Sequence, residues 1–385
     1  MDSPILRVNY KPQLPSKIDY GIGIIGCGGI VNYGHLPAYR KHGLNVVGCF
    51  DINSEAAQKT SQQHGIPRVY DALDDLLRDP EIEIVDIAVQ PWHQRRIAEK
   101  ALAAGKHLLC QKPLADGIVD AIAILRAAQQ SGLKVAVNQQ MRWSAGIAAA
   151  KDLISRGFIG QPTDAQIQVS ASTPWHMWPW LAESPRLEVQ YHSIHYLDAM
   201  RYLFGDPEWI TSRFAKYPLQ KARAETKTIT VLDYAWGMQA LVAVNHYDES
   251  GDNYATFRFL GTEGLIKGTI GLMYNYPTGR PDTLEAHSDK FAPDVWFDVR
   301  LEGLWIPDAF IGPMASLMAA IQSGGKAVTD ITDNINTMRL VDACYISATK
   351  HRTVHFGEFE EIDHLLAGGP AGAAVPPVAE PGTSA

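Results

Sequence analysis

A lysine at a strand end, a pair of histidines and a glycine-rich turn are the residues whose types and spacing could do chemistry in this chain. Lys112 closes the run Leu108-Leu109-Cys110-Gln111-Lys112-Pro113. Pro113 has no N–H and disfavours helix in the residue before it, so the spacing predicts an extended Lys112 at the carboxyl end of a short buried strand. In an open parallel sheet that is the edge at which ligands bind. Read alone, the segment fits a surface lysine in a strand-to-helix loop better, and it is the residues preceding it that point to chemistry. His192 and His195 lie three residues apart and share one helix face, so both could reach one pocket. An imidazole titrates close to neutrality and can take a hydroxyl proton. Two histidines could also hold a metal, but no third ligand with a recognisable spacing accompanies them, and no metal is expected.

Gly26-Cys27-Gly28-Gly29-Ile30 falls between a strand-like run and a helix-like run. Glycines there permit a tight turn and close backbone approach to a pyrophosphate resting on the helix N-terminus. The third glycine of the G-x-G-x-x-G pattern is replaced by Val31. Asp51 strengthens the reading, because a carboxylate at the end of the second strand, about 20–25 residues on, can accept bonds from ribose hydroxyls. Its charge would repel a 2′-phosphate, and Ile52 offers no compensating cation, so NAD is expected over NADP. As an alternative, Asp51 would cap the next helix, a role for which Ser54 followed by Glu55 is better placed. The loop Gln90-Pro91-Trp92-His93 follows another apolar run, and Gln90, Pro91 and His93 are expected to border the cofactor, as are Gln111 and Lys112.

Elements must be found that place these groups together. Strand-like residues 21–25, 45–50, 69–70, 84–89, 108–110 and 134–137 alternate with helix-like residues 30–42, 54–64, 71–78, 94–104 and 116–131. That order predicts an α/β N-terminal Rossmann domain, a doubly wound parallel sheet, over residues 21–142. Beyond residue 143 the strands lengthen and alternate apolar with polar residues at 164–172, 209–216, 226–234, 238–247, 254–260 and 265–271. This predicts a C-terminal α+β domain, residues 143–366, with a large, mainly antiparallel open sheet. Helices are expected at 145–156 and 194–203, and one last helical stretch at 313–350. The segment Thr173-Pro174-Trp175-His176-Met177-Trp178-Pro179-Trp180 is too rich in rings and prolines for a strand; Trp175 and His176 suit a carbohydrate wall or an oligomer contact. Arg142 and Trp143 follow a strand end as candidate substrate contacts, and Arg186, Gln190, Asn245 and His246 are further polar candidates.

A chain of 385 residues exceeds the roughly 250–300 that one core usually serves. The net charge of -8 and the lack of Lys/Arg runs argue against nucleic acid or an anionic membrane as partner. No stretch approaches the ~20 apolar residues of a membrane span. Residues 1–20 contain Pro4, Pro12 and Pro15 and are expected as an extended arm, and residues 367–385, rich in Gly, Ala and Pro, as a disordered tail. Cys27, Cys49, Cys110 and Cys344 have no paired spacing and are expected as reduced core thiols of a cytoplasmic protein. An apolar open sheet face would favour a homodimer or homotetramer.

The glycine turn, Asp51, the Pro91-Trp92-His93 loop and the segment Ala101-Leu102-Ala103-Ala104-Gly105-Lys106-His107 through Lys112-Pro113 resemble the Gfo/Idh/MocA family of NAD(P)-dependent sugar and polyol oxidoreductases. The resemblance spans residues 20–356. It implies that Lys112 lies beside nicotinamide and substrate. In the family's D-x-G-x-H-x-x-D pattern, His195 matches the proton-transfer histidine and Asp198 the last acid, while Tyr191 and Ser193 replace the first acid and the glycine. Gln111 stands where relatives carry glutamate, which removes a charge that would favour the ionised lysine. The implied activity is hydride transfer between NAD and a secondary hydroxyl or ketone of a sugar, glycoside or inositol, with Lys112 and His195 as the catalytic pair and His192, Tyr191 and Asp198 as further candidates. A non-catalytic sugar or nucleotide sensor on the same fold is the alternative, raised by Gln111 and Tyr191.

Overall fold

The computed structural model describes residues 4–359. The expected tail at 367–385 lies outside them. The first sheet is built from β1 (Ile22–Ile25), β2 (Val46–Phe50), β3 (Arg68–Val69), β4 (Ile84–Ile87), β5 (His107–Gln111) and β6 (Val135–Asn138), in the order β3-β2-β1-β4-β5-β6. Every pairing is parallel. The helices α1 (Leu36–Lys41), α2 (Ser54–His64), α3 (Leu73–Arg78), α4 (Pro91–Ala103) and α5 (Ile118–Ser131) cover it. Strands β1 and β4 are buried at every position because helices lie on both faces, which is why they read as continuous apolar runs. The order reverses between β1 and β4, so the carboxyl ends of those strands open onto a crevice.

The helix after β1 begins with a π-turn at Val31–His35. The cap of α2 is Asn53, whose side chain accepts from Glu55 N and Ala56 N, and not Ser54 as the sequence suggests. Asp51 is thereby left free of capping.

A short 3₁₀ turn and α6 (Ala145–Ser155) lead into the second sheet, of nine strands. It comprises β7 (Pro162–Ser170), β8 (Trp209–Ala215), β9 (Lys227–Asp233), β10 (Gln239–Asn245), β11 (Tyr254–Gly261), β12 (Gly264–Thr269), β13 (Thr283–Ser288), β14 (Ala292–Val299) and β15 (Val354–His355). Between β7 and β8 run α7 (Pro179–Ala182) and α8 (Ile194–Phe204). The order is β14-β13-β12-β11-β7-β10-β9-β8-β15. All neighbours are antiparallel except β7 and β10, which are parallel in register from Asp164↔Gln239 to Ser170↔Asn245. Strands β13 to β15 are absent from the sequence reading. Helix α8 packs against β7 and β10 on the covered face. The other face is mixed, not apolar: Ile229, Val231, Leu241 and Ala243 sit beside Gln166, Gln168, Arg258 and Lys267, all of them partly exposed or exposed.

The expected last helical stretch is two helices, α9 (Ile311–Ser323) and α10 (Ile331–Lys350), separated where Gly324 takes φ +74°. Helix α9 packs on β6, and α10 lies against both α5 and β8, so the carboxyl-terminal helices clamp the two sheets together. The amino-terminal arm is also tied down: Leu6 N donates to Asp298 O and Asp298 N to Pro4 O, which adds a backbone pairing to the edge strand β14. No helix among the described residues is long and apolar enough to cross a membrane.

Candidate active site

The carboxyl ends of the parallel strands face the edge of the second sheet across a cavity of about 500 Å³. One end is formed by the glycine turn. Gly26 takes φ +94°, and a Cβ there would come within 2.4 Å of Ala88 O, so only glycine fits. At Gly28 a Cβ would meet nothing within 4 Å, and that space opens into the cavity. Asn32, one residue beyond the missing third glycine, closes the turn by donating to Cys27 O (3.0 Å) and Gly28 O (2.9 Å). Asp51 Oδ2 accepts from Cys27 N at 2.7 Å and Oδ1 from Asn53 N at 2.8 Å, which fixes the carboxylate at the mouth of the cavity. Ile52 beside it is 92% exposed. The open cradle at Gly28, the helix start behind it and the anchored acid fit a dinucleotide, with Gly26, Gly28, Gly29, Ile30, Asp51, Gln90, Pro91, His93, Gln111 and Lys112 all on the lining.

Lys112 reaches the middle of the cavity from the end of β5. Gln94, buried on α4, donates to Gln111 O (2.9 Å) and Pro113 O (2.7 Å) and so holds the backbone on either side of it. The Gln111 side chain accepts from Lys112 N at 3.0 Å. Lys112 Nζ donates to Tyr191 O at 2.6 Å and meets no carboxylate among the described residues. Burial alone lowers its pKa from 10.5 to about 7.

Tyr191 belongs to a π-turn, Val189–Ser193, that leads directly into α8. Glu188 anchors this turn by accepting from Ser193 Oγ and Thr228 Oγ1, both at 2.6 Å, and burial raises its pKa to about 8. The widened turn and the first turn of α8 bring Tyr191, His192 and His195 to the cavity together. His195 is 7% exposed, with its ring edge on Trp305 (centroids 5.2 Å apart). His192 lies against His246, their ring centroids 4.4 Å apart. Burial, reinforced by the Lys112 charge, holds both His192 and His195 well below the usual imidazole range and lowers His246 to about 3. Several lining groups keep a buried atom without a partner: Tyr191 Oη, His192 Nδ1, His195 Nδ1, His246 Nε2 and Gln140 Oε1. No group of His, Cys, Asp and Glu side chains among the described residues is placed to hold a metal.

Other candidates lie elsewhere. Arg142 and Asp198 do not line the cavity; they form a buried bidentate pair (both bonds 2.7 Å) that also engages Asp333 and Thr337 of α10. Trp143 packs on Gly312, Arg186 pairs with Asp342, and Gln190 donates to Asp116 O. His176 is exposed and off the lining. Trp175 stands behind the wall, donating to His246 O and touching the His192 ring. The wall itself is Trp178 and Trp180, with Trp180 edge-on to both Tyr191 and Trp92. Asn245 stays within the sheet, bonded to Ser170 and Tyr247. Tyr33, Tyr276, Gln140 and Trp305 line the cavity from segments that carry no motif in the sequence, and His246, one of the further polar candidates, joins them. Parallel pairing of β7 and β10 carries Thr173 and His246 to the same edge, where Thr173 Oγ1 and His246 Nδ1 are 2.8 Å apart.

A doubly wound nucleotide domain whose strand ends carry a lysine facing histidines of a second, sheet-containing domain defines the class of two-domain, dinucleotide-dependent oxidoreductases. Comparison with known proteins makes this specific. Residues 20–139 match the model of the oxidoreductase family with an NAD-binding Rossmann fold, and residues 147–267 match the GFO/IDH/MocA C-terminal domain. The chain belongs to the Gfo/Idh/MocA family. It is 29% identical over 342 residues to D-apiose dehydrogenase of Paraburkholderia graminis, covering 88% of this chain and 90% of that one. It is 26% identical over 393 residues to levoglucosan dehydrogenase of Pseudarthrobacter phenanthrenivorans, covering 86% and 97%. An oxidoreductase from Agrobacterium radiobacter, solved with NAD+, L-tartaric acid and magnesium, superposes with a TM-score of 0.78 at 25% identity, covering 89% of this chain and 99% of that one.

Proposed function

We propose that this protein is an NAD-dependent oxidoreductase acting on a secondary hydroxyl or ketone of a sugar, glycoside or inositol. The observation that carries this is the placement of Lys112 and His195 on the same cavity as the glycine turn and Asp51. NAD, when bound, supplies the hydride acceptor. Gly26, Gly28, Gly29 and Ile30 cradle its pyrophosphate, Asp51 takes its ribose hydroxyls, and Gln90, Pro91, His93 and Gln111 border it. The negative Asp51 beside the uncharged Ile52 selects NAD over NADP. Lys112, held by Tyr191 O, donates a hydrogen bond to the reacting oxygen and polarises it. His195 is neutral at physiological pH because burial disfavours its charged form, so its ring accepts the hydroxyl proton in oxidation and returns it in reduction. His192 and Tyr191 shape the site around that oxygen, and Trp178 and Trp180 exclude water above it.

The dehydrogenases named among the relatives act on sugars, and the ring-lined wall suits a pyranose or furanose face. Incubation with NAD and a panel of aldoses, glycosides and inositols tests the reading by NADH absorbance. Turnover of at least one compound is expected. Binding of sugars with no reduction of NAD would replace the enzyme with a sensor.

We read residues 21–142 as the nucleotide domain and 143–366 as the substrate and oligomerisation domain. The open sheet face, with its aliphatic cluster around Val231 and Leu241, supports a homodimer or homotetramer, which light scattering on the eluting protein would test. Four buried free cysteines support a cytoplasmic setting.

A further inference from the structure

The charges along the cavity are divided unevenly between its two ends. Asp51 is the one carboxylate on the lining among the described residues, and it sits at the glycine turn, occupied by Cys27 N and Asn53 N. At the other end Lys112, His192, His195 and His246 converge from β5, from the π-turn and α8, and from the end of β10. Among the described residues no Asp or Glu faces them. The acids packed behind these elements are engaged elsewhere: Glu188 by Ser193 and Thr228, Glu225 by Tyr345, and Asp198 by Arg142 and Thr337. Arg96, also on the lining, is an exposed residue of α4.

A neutral polyol brings hydroxyl protons that need acceptors, and a carboxylate is the strongest acceptor a protein can offer them. This end of the cavity offers none. It contains instead a part-buried lysine whose sole hydrogen-bond partner among the described residues is a backbone carbonyl, and holding its ammonium form there without a counter-charge is costly. A ligand that carried its own anion would supply that counter-charge and would favour the protonated lysine. The buried Gln140 Oε1, without a partner among the described residues, leaves a further polar contact to be completed by the same ligand.

We propose that the substrate is a sugar acid, an aldonate or uronate whose carboxylate sits beside Lys112 and the His192–His246 pair. The proposal rests on the reading of this cavity as the site of sugar oxidation and adds the chemical class of the substrate. Oxidation would remove a hydride and a proton from one carbinol carbon and its hydroxyl, giving the keto acid and NADH, with the carboxylate unchanged.

Matched compounds test it: galactose against galactonate and galacturonate, and glucose against gluconate and glucuronate. Two measurements are made on each, kcat/KM with NAD, and the thermal shift of the NADH-loaded protein, which needs no turnover. At least one acid should exceed its neutral partner by about tenfold in kcat/KM and should alone raise the melting temperature, as expected for a desolvated charge-assisted contact. Tyr191→Asp, which introduces a carboxylate into the site, should shrink the acid preference by about tenfold. Neutral sugars bound and oxidised as well as the acids would overturn the proposal, as would binding of neither class. Acid-specific binding without NADH formation from any compound would keep the sugar-acid site and refute the oxidoreductase reading instead. If Tyr191→Asp does not fold, the wild-type comparison decides alone.

Discussion

Replacing Lys112 by methionine separates what this residue does for chemistry from what it costs the fold. Methionine keeps much of the aliphatic stem and removes the charge. The folded protein lowers the lysine pKa from 10.5 to about 7 through burial, so the native state binds fewer protons than the unfolded chain between those values. Stability contributed at this position therefore rises as pH rises from about 7 toward 10.5, and the full penalty applies below about 7. At ~1.4 kcal/mol per pH unit the upper bound on that penalty is about 5 kcal/mol. Against it stands the loss of the 2.6 Å charge-assisted bond from Nζ to Tyr191 O, worth ~1–3 kcal/mol. Water entering the cavity reduces the penalty further, so we expect a net gain of about 1–2 kcal/mol at pH 6.5, or ~1–3 °C in Tm for a chain of 385 residues. The gain should fade by pH 9. Calorimetry of both proteins across that pH range measures it, together with NADH titration and turnover. NADH affinity should stay within about threefold and turnover should fall ~100-fold or more. A Tm several degrees lower at pH 6.5 would refute the argument by showing that the lysine is a net anchor. Loss of NADH binding would refute its placement beside substrate and not merely beside cofactor.

Three further outcomes follow from the same geometry. Gly26→Ala should unfold or strongly destabilise the protein, because its Cβ would lie 2.4 Å from Ala88 O at φ +94°, whereas Gly28→Ala should leave Tm within about 1 °C and weaken NADH binding ~10-fold or more, since its Cβ enters only the open cradle. Asp51→Asn should raise the KM for NAD ~10–100-fold and narrow the preference over NADP, as steady-state kinetics with both cofactors would show. Gln111→Glu places a negative charge next to Lys112 and favours its ammonium form, so an ionisation near pH 7 in the kcat profile should move upward; an unchanged profile would remove Lys112 as its source.

Arg142 and Asp198 carry charge at positions next to motif residues, and charge next to a motif reads as function; the fold instead pairs them with each other and with α10, over 130 residues away from Asp198 in sequence. His246 reads as an ordinary strand end, yet it reaches the site because β10 runs parallel to β7 within a sheet that is otherwise antiparallel. The aromatic segment was legible as a wall, but which of its tryptophans face inward depends on the short α7, where Trp178 and Trp180 line the cavity and Trp175 backs it.

Local chemistry is what the sequence determines by itself. The alternation of apolar strands and helices, the glycine turn, Asp51 at a strand end and Lys112 before a proline are all recorded within a few tens of residues, because turn geometry and strand burial depend on near neighbours. They suffice for the nucleotide domain and for the lysine and histidines of the site. Long-range pairing belongs to the tertiary structure. The parallel β7–β10 register, the clamp of α9 and α10 across both sheets and the absence, among the described residues, of any acid facing Lys112 each depend on residues more than seventy positions apart meeting in space. No local pattern encodes such meetings, and they decide the electrostatic character of the cavity and the substrate it can hold.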